Sequence, residues 1–249
     1  MISEQFISEI LLERDNINAW DDYPFSLNAV LHLKNLALHP AVTFILGENG
    51  SGKSTLLEAI AVAWGFNPEG GSRSFQFGTR ASHSELHQYI RFTKGIKQPR
   101  DGYFLRAESF FNVATQIEIL DDEPGNAPLI SGAYGNRPLH EQSHGESFLS
   151  LMTNRFFGNG LYLLDEPEAA LSPNRQMAAL SRIHQLVKAK SQFIIATHSP
   201  IILAYPNARI YQLDEDGIHE VEYTETEHYQ IAKSFLNDHE RMLAILMEE

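Results

Sequence analysis

The chain has 249 residues, of which 43% are hydrophobic. That is enough for one sizeable core and too little for two ordinary domains with a linker. Its 32 acidic residues outnumber 19 Lys and Arg, for a net charge of −13, which excludes a protein that coats nucleic acid over its whole surface. Because the chain has no cysteine, it can form no disulfide, thiolate zinc site or Cys nucleophile.

The N-terminus does not read as a targeting segment. Its sequence, MISEQFISEILLERD, has acidic residues early and lacks the apolar stretch of a signal peptide. No stretch of the chain approaches the ~18 apolar residues of a membrane helix. We therefore expect a cytoplasmic protein, and any membrane part of its function would belong to another chain.

A strand, a glycine-rich loop and a helix follow one another in the first quarter of the chain. After a first strand at residues 6–12, the apolar run at residues 41–46 predicts a buried parallel strand. Residues 54–64 have the spacing and residue types of a helix. Between them, Gly47 to Ser54 (GENGSGKS) fits the phosphate-loop pattern G-x-x-x-x-G-K-[ST], or Walker A motif.

Each residue type in this loop has a use in binding ATP. Glycines let the backbone N–H groups turn toward phosphate oxygens, and the start of the helix adds its positive end. Lys53 would contact the β- and γ-phosphates, and the Ser54 hydroxyl would bind Mg²⁺. The predicted nucleotide-binding residues are Gly47, Glu48, Asn49, Gly50, Ser51, Gly52, Lys53, Ser54 and Thr55.

The stretch from Gly70 to Arg106, called the basic segment below, reverses the charge of the chain. It has seven basic residues against two acids, with aromatic residues between them. One interpretation is the solvated face of an antiparallel β structure, and the other is a surface for nucleic acid or a protein partner. We favour the first and keep the second open.

The second half of the chain predicts a βαβ unit. After a loop at residues 121–138 and a helix at 145–157, strands at 161–164 and 192–196 flank a helix at 174–190. This order favours a parallel sheet. The acidic tail then ends in an amphipathic helix.

Polar side chains stand at the ends of these two strands, where ligands of parallel sheets bind. Asp165 would bind Mg²⁺, through water, and Glu166 would polarise the water that attacks ATP. His198 would donate a hydrogen bond to the γ-phosphate.

Together these motifs resemble the ABC ATPase superfamily. Residues 165–172 (DEPEAALS) look like a Walker B motif that runs into a D-loop, and His198 looks like the switch histidine. The sequences GENGSGKST and ATHSP resemble those of the soluble branch that contains SMC and RecF. They are most similar to those of small stand-alone ATPases of that branch. The resemblance spans residues 6–213. Between Lys53 and Ser143, where SMC-type heads carry a long coiled coil, the sequence shows no sustained heptads.

The resemblance implies further site residues. QSHGE at residues 142–146 is similar to the family's signature motif, in which Ser143 and Gly145 would contact the ATP of the opposite subunit; this implies a homodimer with composite sites. Gln142, His144 and Glu146 depart from the pattern. Glu108 would be the Q-loop metal ligand in place of the usual Gln, with Gln116 as the alternative, and adenine would stack on Arg14, Trp20 or Tyr23.

We therefore predict an α/β P-loop fold of ABC type. Residues 1–249 would form one ATPase domain with a mixed central sheet, an antiparallel N-terminal β part and a helical signature subdomain at about residues 113–157. The protein would bind ATP and Mg²⁺, hydrolyse ATP across a dimer and drive a protein partner in DNA metabolism or defence. The alternatives are the ATP-binding subunit of a membrane transporter and a nucleotide sensor that does not hydrolyse ATP.

Overall fold

In a computed structural model, which describes residues 5–73, 84–107, 115 and 144–247, nine strands form two sheets. The larger sheet has the order β5-β6-β7-β3-β8-β9 and the smaller one the order β2-β1-β4. The strands are β1 (Ile7–Leu12), β2 (Asn35–Ala37), β3 (Val42–Gly47), β4 (Ile90–Lys94), β5 (Asp101–Arg106), β6 (Gly160–Asp165), β7 (Gln192–Ala196), β8 (Arg209–Asp214) and β9 (Gly217–Glu220).

The larger sheet is parallel from β5 to β8, and β9 pairs antiparallel with β8. Strands β3, β6 and β7 are buried along their whole length, because apolar clusters cover both faces of the sheet. This explains why their sequences are continuous apolar runs rather than alternating ones. The predicted mixed α/β architecture with an antiparallel N-terminal part is confirmed.

The Gln192 side chain joins the two sheets. The Gln192 amide oxygen accepts hydrogen bonds from the backbone N–H groups of Phe6 and Ile7. Its amide nitrogen donates to the carbonyl oxygens of Ile7 and His39. Buried amides need such partners, so Gln192 holds the start of β1 against the start of β7.

Seven helices surround the sheets in the described part of the chain. They are α1 (Asn28–Leu31), α2 (Lys53–Trp64), α3 (His144–Asn154), α4 (Pro173–Lys188), α5 (Pro200–Leu203), α6 (Glu227–Asn237) and α7 (His239–Met247). Helix α3 ends at Asn154 rather than at the predicted residue 157, because Phe156 leaves the helix and stacks on Tyr162, with ring centroids 4.3 Å apart. The single terminal helix predicted from the sequence is two helices, α6 and α7.

Part of the basic segment belongs to the smaller sheet. Strand β4 pairs antiparallel with β1, and Arg91 forms an exposed ion pair with Glu13 at 2.8 Å. Arg106 does not contribute to a surface, because its guanidinium is largely buried against the Glu58 carboxylate at 2.6 Å. Residues 74–83 of the segment, including Arg80, lie outside the described residues.

No helix in the ranges that the structure describes is both long and apolar enough to cross a membrane.

Candidate functional site

The candidate site lies where three neighbouring parallel strands end. Strand β7 is between β6 and β3 in the sheet, so the carboxyl ends of all three lie side by side. The phosphate loop follows β3, Asp165 and Glu166 stand at the end of β6, and His198 follows β7. Ser54 and Asp165 are 111 residues apart in the chain, and Lys53 and His198 are 145 residues apart. Their segments therefore meet at one edge of the sheet, as expected for parallel strands.

The backbone of the phosphate loop requires glycine at its first and sixth positions. A Cβ atom on Gly47 would lie 2.6 Å from the carbonyl oxygen of Leu213 on β8. Gly52 has φ +97°, a left-handed conformation that other residues adopt only at a cost. It directly precedes α2, so the loop runs into a helix N-terminus.

Lys53 is folded back onto its own loop. Its ammonium group donates to the carbonyl oxygens of Gly47 and Glu48, each at 2.8 Å, and the residue is only 4% exposed. Burial lowers the pKa of Lys53, while the carboxylates of Glu166, Asp165 and Glu168 act in the opposite direction. A cation is thus held at the centre of the site, within the electrostatic influence of three acids.

Ser54 and Asp165 form the oxygen pair predicted for a divalent cation. The Ser54 hydroxyl donates to Oδ1 of Asp165 at 3.0 Å, and Asp165 is buried. Nε of Arg106 lies 3.8 Å from Oδ2 of the same carboxylate, and Arg106 also pairs with Glu58 one turn after Ser54 on α2. The hydroxyl and carboxylate oxygens are the hard ligands that Mg²⁺ prefers.

Glu166 has a backbone conformation that is rare for its residue type. Its φ is +49°, which costs on the order of 1–3 kcal/mol and is found most often at functional sites. The Glu166 N–H donates to the carbonyl oxygen of Ala196 at 2.9 Å. The resulting turn directs the carboxylate toward His198, whose Nε2 lies 3.6 Å from Oε1 of Glu166.

Nε2 of His198 is a buried nitrogen atom with no hydrogen-bond partner among the described residues. Buried polar atoms in folded proteins nearly always have a partner. The ring borders a cavity of about 690 Å³ that is also lined by residues 47–51 of the phosphate loop. A ligand that occupies this cavity and accepts a hydrogen bond would satisfy Nε2.

Glu168 was not singled out by the sequence analysis. Its carboxylate accepts hydrogen bonds from the Thr197 hydroxyl at 2.7 Å and from the His198 backbone N–H. It therefore ties the segment after β6 to the segment after β7. The sequence signal was weak, because Glu168 could be read only as part of a D-loop resemblance.

His228 was also missed. Its Nε2 lies 3.0 Å from Nδ1 of His198, and with Glu227 it lines the same cavity as the phosphate loop. The residue is at the start of α6, within the segment that the sequence analysis treated only as an acidic, amphipathic tail. A lone histidine in such a tail has no pattern that would indicate a site.

Other predicted site residues are placed less centrally or lie outside the described residues. Ser143 and Glu108 are outside, as is Gln116. Gly145 is buried, and a Cβ there would lie 2.6 Å from the Ala170 carbonyl oxygen. The glycine thus permits close packing within its own chain, and its contact with a partner's ATP stays a prediction.

The three candidates for adenine stacking differ in their surroundings. Arg14 stacks on Trp20 at 4.2 Å and donates to the carbonyl oxygens of Leu31 and Leu33, which indicates an internal packing role for Arg14. The Tyr23 ring is exposed, with its hydroxyl 3.5 Å from that of Thr55 on α2. Tyr23 is therefore a stacking candidate that lies beside the start of α2, where the phosphate loop ends.

Comparisons with known proteins show which proteins this chain resembles in sequence and in fold. A family model described as an AAA domain matches residues 15–156. A protein of Caldanaerobacter subterraneus subsp. tengcongensis, provisionally described as an ABC transporter ATP-binding protein, is 30% identical over 191 residues, which cover 72% of this chain and 77% of that protein. The structure of CbiO1 from Clostridium perfringens, part of the ABC transporter complex CbiONQ, is 19% identical with a TM-score of 0.50, over 93% of this chain and 96% of that chain. The SMC head domain from Thermotoga maritima is 16% identical with a TM-score of 0.48, over 88% of this chain and 100% of that chain.

The family match covers more than half of the chain, and the bacterial relative extends the similarity over most of both proteins. The likeness to CbiO1 is one of fold. The motif-based prediction of an ABC-type P-loop ATPase is confirmed. The chain belongs to the AAA-domain family and is an ABC-type P-loop ATPase by fold and sequence.

Proposed function

We propose that this chain binds Mg²⁺-ATP in the phosphate loop and hydrolyses it. The observation that carries the proposal is the convergence of Lys53, Ser54, Asp165, Glu166 and His198 at one edge of the sheet. Together they supply the groups that phosphoryl transfer requires, which are a cation, a pair of hard oxygen ligands, a carboxylate and a hydrogen-bond donor.

The chain's own residues would divide the reaction as follows. Lys53 would exchange the two carbonyl oxygens that it now contacts for the β- and γ-phosphate oxygens of ATP. Glu166 would orient a water molecule and accept its proton as the oxygen bonds to the γ-phosphorus, while the bond to the β-phosphate oxygen breaks and ADP leaves. His198 would donate through Nε2 to a γ-phosphate oxygen, where negative charge is concentrated.

The donor set fits Mg²⁺. The Ser54 hydroxyl and the Asp165 carboxylate, which are 3.0 Å apart, would hold the ion directly or through water. When bound, Mg²⁺ reduces the negative charge on the phosphates. This matters because four acids, Glu48, Asp214, Glu215 and Glu227, also line the cavity.

We further propose that ATP brings two chains together. In the resemblance described above, Ser143 and Gly145 of one subunit contact ATP held by Lys53 of the other, so each site is complete only in the dimer. A partner protein in DNA metabolism or defence would respond to this association. The similarity of the phosphate-loop and histidine motifs to SMC and RecF supports this choice of partner.

Two other functions compete with this one. The name of the 30% identical relative favours an ATP-binding subunit of a membrane transporter, and co-purification with a membrane protein would support it. A nucleotide sensor without hydrolysis is less well supported, because Glu166 lies within 3.6 Å of His198 in an arrangement suited to water activation.

Replacement of Glu166 by Gln tests the proposal. Gln keeps the shape of the side chain but cannot accept the proton, so turnover should fall about 10²-fold or more. ATP binding should persist because Lys53, Ser54 and Asp165 remain. Blocked hydrolysis should also trap the dimer, so light scattering with Mg²⁺-ATP should give twice the 28.1 kDa mass of the chain.

Glu220→Gln is the matched control, since Glu220 pairs with Arg209 at the exposed edge of the sheet. It should keep the turnover of the unmodified chain. A dimer that forms without nucleotide would contradict ATP-driven association but leave hydrolysis in place. A monomeric Glu166→Gln protein with unchanged turnover under saturating ATP would refute both the role of Glu166 and the ABC mechanism.

A further inference from the structure

Helix α6, the first of the two helices after the sheet, supplies a wall of the candidate site. Glu227 and His228, its first two residues, line the cavity shared with the phosphate loop. A second cavity, of about 360 Å³, is also lined by His198 and His228 and is bordered by Pro200 and Ile231. The imidazole pair thus borders two cavities, one of which is lined by the phosphate loop.

The start of α6 is held in place by several contacts. Thr226 is fully buried and caps the helix, accepting a hydrogen bond from the Tyr229 N–H. Its hydroxyl donates to the carbonyl oxygen of Tyr223 at 2.8 Å, and the Tyr223 hydroxyl donates to the carbonyl oxygen of Pro200 at 2.9 Å. The segment of His228 is therefore tied to the segment of His198 through the Tyr223–Pro200 hydrogen bond, in addition to the contact between the two rings.

The hydrogen bond between the two rings restricts their tautomers. A neutral imidazole has one N–H donor and one acceptor nitrogen. To donate from Nε2 to a phosphate, a neutral His198 must keep Nδ1 unprotonated, and Nδ1 then needs a donor. The Nε2 atom of His228 is 3.0 Å away and can supply that proton. In the opposite tautomer of His198, Nδ1 would donate to His228 and Nε2 could only accept.

The surroundings of His228 favour its neutral form. Burial lowers the pKa of His228, as do the nearby His198 and Lys53, whereas Glu227 raises it. Glu166, at 3.6 Å from His198, is the carboxylate that faces the pair from the end of β6. Two adjacent imidazolium rings would repel each other, so His228 is expected in its neutral form, in which Nε2 can carry the N–H that lies between the two rings.

We propose that His228 is a positioning residue for the ATPase reaction: its Nε2–H donates to Nδ1 of His198 and so fixes the tautomer in which His198 can donate to the γ-phosphate. This rests on the proposed ATP hydrolysis. Metal-bound histidines behave in the same way, because the hydrogen-bond partner of one ring nitrogen fixes whether the other nitrogen is protonated. The bond between the two rings makes helix α6 part of the catalytic apparatus.

A pair of near-isosteric replacements separates this role from simple packing. In His228→Gln, the amide nitrogen can take the place of Nε2 and still donate, whereas His228→Met fills similar space without a donor. We expect kcat to fall about 10-fold in His228→Met with KM for ATP nearly unchanged, since the lost interaction is needed most in the transition state. His228→Gln should restore most of kcat, and Lys233→Gln on the same helix should behave as the unmodified chain.

Equal kcat values for His228→Met and His228→Gln would overturn the inference, whether both are high or both are low. Thermal unfolding of each variant identifies a protein that has lost its fold. A change of KM alone, with kcat unchanged, would also contradict a role through His198.

A spectroscopic measurement tests the tautomer without using turnover. ¹⁵N-labelled histidine in the full chain, with the His198 signals identified by comparison with His198→Asn, reports which ring nitrogen carries the proton. We expect an Nε2-protonated His198. An Nδ1-protonated His198 would overturn the inference. If the unmodified chain binds ATP but does not hydrolyse it, the proposed function fails, and the tautomer still decides whether His228 positions His198.

Discussion

Replacing Glu58 by Gln would remove one charge from the buried ion pair beside the candidate magnesium site. Glu58 pairs with Arg106 at 2.6 Å, with side-chain exposures of 11% and 19%. Its other carboxylate oxygen accepts the Ser84 N–H at 3.3 Å. Gln preserves the size and one oxygen acceptor but leaves the guanidinium of Arg106 without its 2.6 Å carboxylate partner.

The loss of folding stability can be estimated from the burial of the Glu58–Arg106 ion pair. Removing one partner of a buried ion pair destabilises a protein by about 3–5 kcal/mol, and the acceptor kept by Gln places this case near about 3 kcal/mol. In a chain of this size, 1 kcal/mol lowers the unfolding temperature by about 2–4 °C. We therefore expect Glu58→Gln to lower it by about 6–12 °C.

The Glu58→Gln change should also affect Mg²⁺ binding at the candidate site. Nε of Arg106 already lies 3.8 Å from the Asp165 carboxylate. Without the negative charge of Glu58, Arg106 is attracted more strongly to Asp165, and Mg²⁺ has to compete more strongly for Asp165. We expect the Mg²⁺ concentration for half-maximal ATPase activity to rise several-fold.

Differential scanning calorimetry and a Mg²⁺ titration of turnover would measure the two effects, with Glu13→Gln as the control. Glu13 also pairs with an arginine, Arg91, at 2.8 Å, but those side chains are 37% and 53% exposed. An exposed pair contributes about 0–1 kcal/mol, so the control should lower the unfolding temperature by no more than about 4 °C. Equal shifts for the two variants would refute the argument from burial.

Two further predictions concern the phosphate loop and acid stability. Lys53→Ala should weaken ATP binding about 100-fold or more, because the phosphates lose a charge-assisted hydrogen bond; undiminished binding of a non-hydrolysable analogue in isothermal titration would contradict the phosphate-loop assignment. Nδ1 of His39 accepts the N–H groups of Ala41 and Val42, and burial, followed by Arg209, lowers the pKa of His39 from its ordinary 6.5. The neutral ring is thus favoured in the folded state, so its contribution to stability should be present above pH 6.5 and lost as the pH falls through the folded-state pKa. His39→Asn, which keeps an acceptor but does not titrate, should reduce the acid loss of stability in urea unfolding, and an unchanged pH dependence would contradict this.

The best-predicted part of the site is the one that is local in sequence. Residues 47–54 need particular residue types at consecutive positions, because the loop wraps its own backbone around phosphate and leads directly into α2. The strands before Asp165 and His198 were also predictable, since a strand buried on both faces must be a continuous apolar run. The sequence by itself thus determined the fold class and placed the phosphate loop, Asp165 and His198 at the ends of buried strands.

Only the tertiary structure decided which other side chains support them. Glu168 contacts Thr197 across 29 residues, Arg106 contacts Glu58 across 48, and His228 contacts His198 across 30. An isolated Glu, Arg or His has no periodicity or spacing that indicates its partner. These contacts form because separate strands and helix α6 bring distant segments together at one edge of the sheet, where buried polar groups need a hydrogen-bond partner in the protein or in a ligand.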